Sequence, residues 1–137
     1  MRDTGGDVKT ITGFMPQNDT GGSNVDGAIV DRKGFLSMVA TLLFGATTGA
    51  PSNIVTVFTL EHGDAANLSD KADVQILATT TVPTAAGGDT VEAAIDLRPL
   101  KRYVRIKETT TFTAGTTPAI DLAAAITLGE ASVVPAV

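Results

Sequence analysis

The chain has 137 residues, 43% of them hydrophobic and 18% charged, which is the size of one domain with enough apolar surface to build its own core. It contains no cysteine and a single histidine, so disulfides, thiolate nucleophiles and metal centres built on Cys or His clusters are excluded. A formal net charge of −5 repels a phosphate backbone, and the longest strongly apolar run, Phe35 to Phe44, falls well short of the ~20 residues of a membrane-spanning helix. Neither nucleic acid nor a membrane is therefore an expected partner.

Residues 1–27 are rich in Gly, Asp, Asn and Thr, and their sizeable apolar groups are Val8, Ile11, Phe14, Met15 and Val25. This composition predicts an extended N-terminal arm over 1–27, either disordered or ordered by lying on another surface, followed by a folded domain over 28–137. Met1 to Gly6 carry neither the basic region nor the apolar stretch of a signal peptide, so export is not expected. The tetrapeptide Asp-Thr-Gly-Gly occurs at Asp3 to Gly6 and again at Asp19 to Gly22, where it reads as turn punctuation.

From Ala28 the pattern changes to short β-type runs. The first is Ala28 to Arg32, stopped by Lys33-Gly34. In Phe35 to Phe44, Leu36, Met38, Ala40, Leu42 and Phe44 share one face while Ser37 and Thr41 lie on the other, the period of two of a strand. Gly45 to Asn53, with Gly49 and Pro51, reads as a loop. Ile54 to Glu61 is dense in β-branched and aromatic residues and gives the clearest strand signal in the chain.

His62 to Lys71 is polar and is predicted to be a loop with a short turn of helix. Asp73 to Thr81 is a further strand, ended by Pro83 and a Gly87-Gly88 turn. Thr90 to Leu97 alternates Val91, Ala93, Ile95 and Leu97 against Glu92, Ala94 and Asp96. Arg102 to Phe112 places Val104 and Ile106 inward and Tyr103, Arg105 and Lys107 outward. In Ile120 to Gly129, helix competes through its Ala and Leu content, yet Ile120, Leu122, Ala124, Ile126 and Leu128 repeat at two, which favours a strand; Val133-Val134-Pro135 is a tail. Seven or eight such strands predict an all-β fold, an antiparallel β-sandwich of jelly-roll type with an extended N-terminal arm.

Few residues point to catalysis. The Asp-Thr-Gly triplets at Asp3 and Asp19 match the signature of aspartic proteases, whose chemistry needs two carboxylates sharing a proton, but both sit in polar sequence and not after a buried apolar strand. His62, Ser52, Ser69 and Asp64 have no nucleophile-elbow pattern around them, and Asp64, Asp70 and Asp73 lack the spacing of an EF-hand calcium loop. Gly87-Gly88 precedes Asp89 and reads as a turn, not a phosphate cradle. No cofactor and no enzymatic activity are expected.

Arg98, Lys101, Arg102, Arg105 and Lys107 concentrate half of the ten basic residues in ten positions, a stripe that either meets an acidic partner or is a solvated strand face. Val55 to His62, Ala72-Asp73-Val74 and Ile95 to Lys107, with Leu100-Lys-Arg-Tyr-Val-Arg-Ile106 and the terminal Ile126-Thr-Leu-Gly129 foremost, resemble small virion proteins of tailed bacteriophages, the capsid decoration or cement family. The likeness covers about residues 28 to 131.

The resemblance implies a jelly-roll-like head accessory protein, made in the host cytoplasm and carried on the outer surface of the virion capsid. It implies the major capsid protein as partner and a homo-oligomer, a trimer being favoured. The expected capsid or subunit contacts are Val8, Ile11, Phe14 and Met15 of the arm, with Arg98, Lys101, Arg102, Tyr103, Arg105 and Lys107 of the stripe. The alternative from the same fold is a receptor- or carbohydrate-binding module of a phage tail or fibre.

Overall fold

A computed structural model describes residues 7–81 and 88–132. Its nine strands are β1 (Lys9–Asp19), β2 (Asn24–Asp26), β3 (Val30–Asp31), β4 (Phe35–Thr48), β5 (Asn53–Gly63), β6 (Ala72–Thr81), β7 (Asp89–Asp96), β8 (Tyr103–Thr113) and β9 (Ala119–Ala131). Two antiparallel sheets face each other. The first runs β1-β9-β4-β7 and the second runs β2-β8-β5-β6, with β3 also on β8.

The pairing is nested. β5 pairs with β6, β4 with β7, β2 and β3 with β8, and β1 with β9, as in one long hairpin rolled up on itself. β2 and β3 meet successive parts of β8, so together they form one interrupted strand and the sandwich has the eight strands of a jelly roll. The interruption has a local cause. Gly27 donates its N–H to the Ile106 carbonyl at 2.9 Å, and a Cβ there would stand 2.6 Å from the Gly13 carbonyl oxygen, so only glycine lets the chain cross so close to β1 and β8.

The core forms where the alternation predicts it. Met38, Leu42, Ile54, Leu60, Ile106 and Ile126 are fully enclosed between the sheets. Phe58 stacks on Phe14 with ring centroids 5.8 Å apart and meets Phe44 edge-on at 5.3 Å. Each such side chain contributes about 1.5–3 kcal/mol by leaving water, and this aromatic trio joins β1, β4 and β5 across the sandwich.

Several expectations are corrected. Residues 9–19 and 24–26 are extended, but the surface they lie on is the sandwich itself, so no boundary at 27 separates an arm from a domain. β1 follows β9 from Lys9 opposite Leu128 to Asp19 opposite Ile120, and Phe14 and Ile11 face the core. Register shifts between Thr12 and Phe14 and between Phe14 and Gln17 break its alternation.

β4 continues through a bulge to Thr48, which takes in part of the expected 45–53 loop. Leu36 is exposed because Phe35 fills the inward place at that end. The 64–71 segment closes through hydrogen bonds from Leu68 N–H to Ala65 O and from Lys71 N–H to Leu68 O, tight turns in place of a helical turn. The terminal run is strand throughout. Asp3-Thr4-Gly5, Pro83 with Gly87, and Val133-Val134-Pro135 lie outside the described residues.

Candidate docking faces

The two sheets present different outer surfaces. On the second, Glu61 of β5 points outward yet is only 2% exposed, because cations close over it. Arg105 Nε donates to its Oε2 at 2.7 Å, and Lys107 and Lys71 ammonium groups stand 3.3 and 3.4 Å from its Oε1. Arg105 also pairs with Asp26 at 2.9 Å, and Lys107 with Asp73 at 3.0 Å. Burial pushes the Glu61 carboxyl upward, but the hydrogen bonds from Arg105 and Lys107 outweigh it and hold the group below the usual range.

The rest of the basic stripe is neutralised in the same way. Arg98 pairs with Asp96 at 2.9 Å, Lys101 with Asp64 and Asp70 at 3.4 and 3.5 Å, and Arg102 with Asp31 at 2.7 Å. The Arg102 hydrogen bond keeps Asp31 below its ordinary range. Tyr103 is half-buried, with the Arg102 guanidinium 5.1 Å from its ring centroid. The stripe is real as sequence, but in space each of its cations answers an acid, Arg98 its near neighbour Asp96 and the others acids from elsewhere in the chain.

The first sheet's outer face carries little charge. Val39, Thr41 and Leu43 of β4 lie beside Ala123, Ala125 and Thr127 of β9, by the register that pairs Thr41 with Ala125 and Leu43 with Ala123. Thr10 and Thr12 of β1 extend the surface on one side, and Glu92 and Ala94 of β7 on the other. Four large apolar side chains are exposed along this sheet: Met15 at 69%, Leu36, Val39 and Leu43.

The relief of this face is shallow. Two adjoining depressions of about 290 and 270 Å³ share Pro16, Leu43 and Ala123. A third of about 290 Å³ lies between Val39 and Ala94 and is bordered by Asp96 and Arg98. No other described element packs over this face, and an exposed apolar patch of this kind is a candidate interaction site.

Of the residues expected to make contacts, Met15 lies on this face and Val8 is exposed just before β1, whereas Ile11 and Phe14 are turned into the core. Val39, Leu43, Ala123 and Ala125 were not singled out by sequence reasoning. The available signal was that the second face of 35–44 also holds Val39 and Leu43, so that strand is apolar on both sides.

Of the residues weighed for catalysis or ion binding, His62, Asp64 and Asp70 gather around Lys101, while Ser52 is engaged elsewhere. His62 Nδ1 accepts from the Lys101 N–H at 3.3 Å, Ser52 Oγ donates to the Thr113 carbonyl at 2.9 Å, and Asp70 accepts the Asp64 and Ala65 N–H groups at 2.8 and 3.0 Å. Among the described residues no group of three or more His, Asp or Glu is gathered to hold a metal ion, and no helix is long and apolar enough to cross a membrane.

No protein-family model matches the chain, and no curated protein matches it in sequence. Similar solved structures are viral. The infectious bursal disease virus VP2 subviral particle aligns with 91% of this chain and 33% of its own, at 11% identity and a TM-score of 0.53. T=1 particles derived from the same virus align at 12% identity, 91% and 32% coverage and a TM-score of 0.53. The SPBc2 prophage-derived protein YomS aligns with 89% of this chain and 92% of its own, at 12% identity and a TM-score of 0.47. The chain thus has the β-sandwich fold of a capsid-protein jelly roll and spans about a third of the virus chains it matches.

Proposed function

We propose that this protein is a virion structural protein that decorates the outer surface of a phage capsid as a homo-oligomer, and that it docks through the outer face of the β1-β9-β4-β7 sheet. The observation that carries this reading is the contrast between the two outer faces. One has spent its charges on itself, while the other leaves Met15, Val39 and Leu43 uncovered among Ala and Thr side chains. The viral jelly-roll fold and the resemblance of Leu100 to Ile106 to head accessory proteins support the setting. The major capsid protein is the proposed partner.

Small side chains on a flat sheet allow close approach over a broad area, and a handful of exposed apolar groups near its middle supply the anchors. The second sheet then faces solvent, where its ion pairs keep the particle surface hydrophilic. A sugar-binding role lacks a platform among the described residues, because the single tyrosine, Tyr103, is half-buried beside Arg102.

Co-sedimentation of the protein with purified capsids tests the assignment. Leu43→Asp combined with Met15→Asp is expected to lower occupancy at least about tenfold, since each charge must be desolvated in the contact. Unchanged occupancy, or label on the tail instead of the head, would refute it.

A further inference from the structure

We propose that Asp19 and Glu108 share a single proton across the interior of the sandwich, and that this proton latches the end of β1 to the second sheet until alkali removes it. The two carboxyls come from different sheets. Asp19 ends β1, 6% exposed, with its Oδ1 accepting the Gly21 N–H at 2.8 Å. Glu108 is an inward residue of β8 and is fully buried.

Among the described residues, no cation pairs with Glu108. Its strand partners are Val25 of β2 and Phe58 of β5, and its polar neighbours are Asp19 and Thr110. Lys107 and Thr109 lie on the opposite side of β8. Thr110 donates its hydroxyl to Glu108 Oε1, and Thr56 of β5 meets the Thr110 hydroxyl at 2.8 Å.

That leaves one oxygen on each carboxyl, Asp19 Oδ2 and Glu108 Oε2, enclosed and without a protein hydrogen-bond donor. A single proton on Glu108 Oε2, donated to Asp19 Oδ2, satisfies both, whereas two ionised carboxylates would face each other in an apolar interior. The same surroundings favour the protonated form of Glu108. Burial above all, reinforced by the Asp19 carboxylate and opposed by the Thr110 hydroxyl, pushes Glu108 up to about 8.

Asp19 belongs to the second Asp-Thr-Gly triplet. The carboxylate pairing expected of that signature is present, but its partner is Glu108 and the pair is sealed inside the fold. Gly21, at φ 75°, is held where a Cβ would strike the Phe112 ring at 2.8 Å, so the turn that follows Asp19 packs against the same strand as Glu108. Loss of the proton to hydroxide, as water, leaves two negative charges at the point where β1 and this turn meet β8. The sign follows from linkage: Glu108 binds its proton more tightly folded than unfolded, so the stabilisation is complete below the unfolded carboxyl range and is lost as pH rises through about 8.

Carbon-13 spectra of the glutamate carboxyls in the full chain test this directly, since Glu61, Glu92, Glu108 and Glu130 are the only four. The Glu108 resonance is expected to titrate near pH 8; a Glu108 midpoint in the ordinary carboxylate range would overturn the proposal. Glu108→Gln keeps a donor for Asp19 with no proton to lose, so its melting midpoint should stay flat between about pH 6 and 9 while that of the unmodified chain falls by several degrees. Equal slopes would overturn the latch. So would a rise of the unmodified chain's midpoint with millimolar calcium, which would put a cation where the proton is assigned. These readouts need no capsid, so they stand or fall apart from the proposed docking.

Discussion

The outer faces of the two sheets follow the same alternation and bury similar inner side chains, yet they resolve their outward positions in opposite ways. On the β2-β8-β5-β6 sheet, Arg105 and Lys107 of β8 and Lys71 of the loop before β6 converge on Glu61 until it is as buried as a core residue. On the β1-β9-β4-β7 sheet, the central outward positions of β4 and β9 hold Ala, Thr, Val and Leu, with Glu92, Asp96 and Asp121 toward the borders. A charged strand is therefore not evidence of a charged partner, and an uncharged one is the better place to seek a contact.

The largest expected break comes from the charged side. Glu61→Ala strips the partner from Arg105 and Lys107, which are themselves mostly covered, and is expected to cost about 3–5 kcal/mol in urea unfolding. Replacing Glu61 and Arg105 together by Met should recover much of that loss, because it removes the stranded charge as well as the pair. If the single variant costs nothing, the network is decoration and the contrast between the faces fails.

Acid should act on the same network more gradually. Glu61 is held below its unfolded range, so its contribution is present above that range and is lost as pH falls through the folded value. Glu108 behaves in the reverse sense. Thermal midpoints across pH should therefore drop at both ends, and Glu61→Gln should blunt the acid limb while Glu108→Gln blunts the alkaline one.

On the uncharged side the effects on stability should be small. Val39→Thr and Leu43→Thr trim partly exposed side chains and should change unfolding free energy by less than about 1 kcal/mol, while weakening capsid occupancy. Smallest of all is Arg102→Ala, which removes an exposed ion pair with Asp31 on the other sheet; the midpoint should change little and occupancy should not move measurably. A strong loss of occupancy there would shift the contact toward the basic stripe.

Much of the fold was legible in the sequence because Ile54 to Leu60 and Ile120 to Leu128 alternate cleanly and Met38 to Phe44 keeps its inward residues at a period of two. β1 was not, since Gly13, Pro16 and two register shifts scramble its period, and Phe14 beside Met15 gives no hint of which one faces inward. The neutralised stripe was hidden for a different reason. Arg102 answers Asp31 across 71 residues and Arg105 answers Glu61 across 44, distances over which local composition carries no information. Glu108 and Thr110 were opaque because a polar residue at an inward position looks like a break in the pattern until its partner is known.

The nested pairing also sets the order in which the molecule can be made. Among the described strands β1 pairs with β9, Lys9 opposite Leu128, so the first sheet lacks that edge until β9 has been synthesised, more than a hundred residues later. The hairpin of β5 and β6 can form early, but Phe14 has no closed core to enter until the last strand arrives. Pairings so far apart fold slowly, and a nascent chain of this protein waits with its first strand unclaimed.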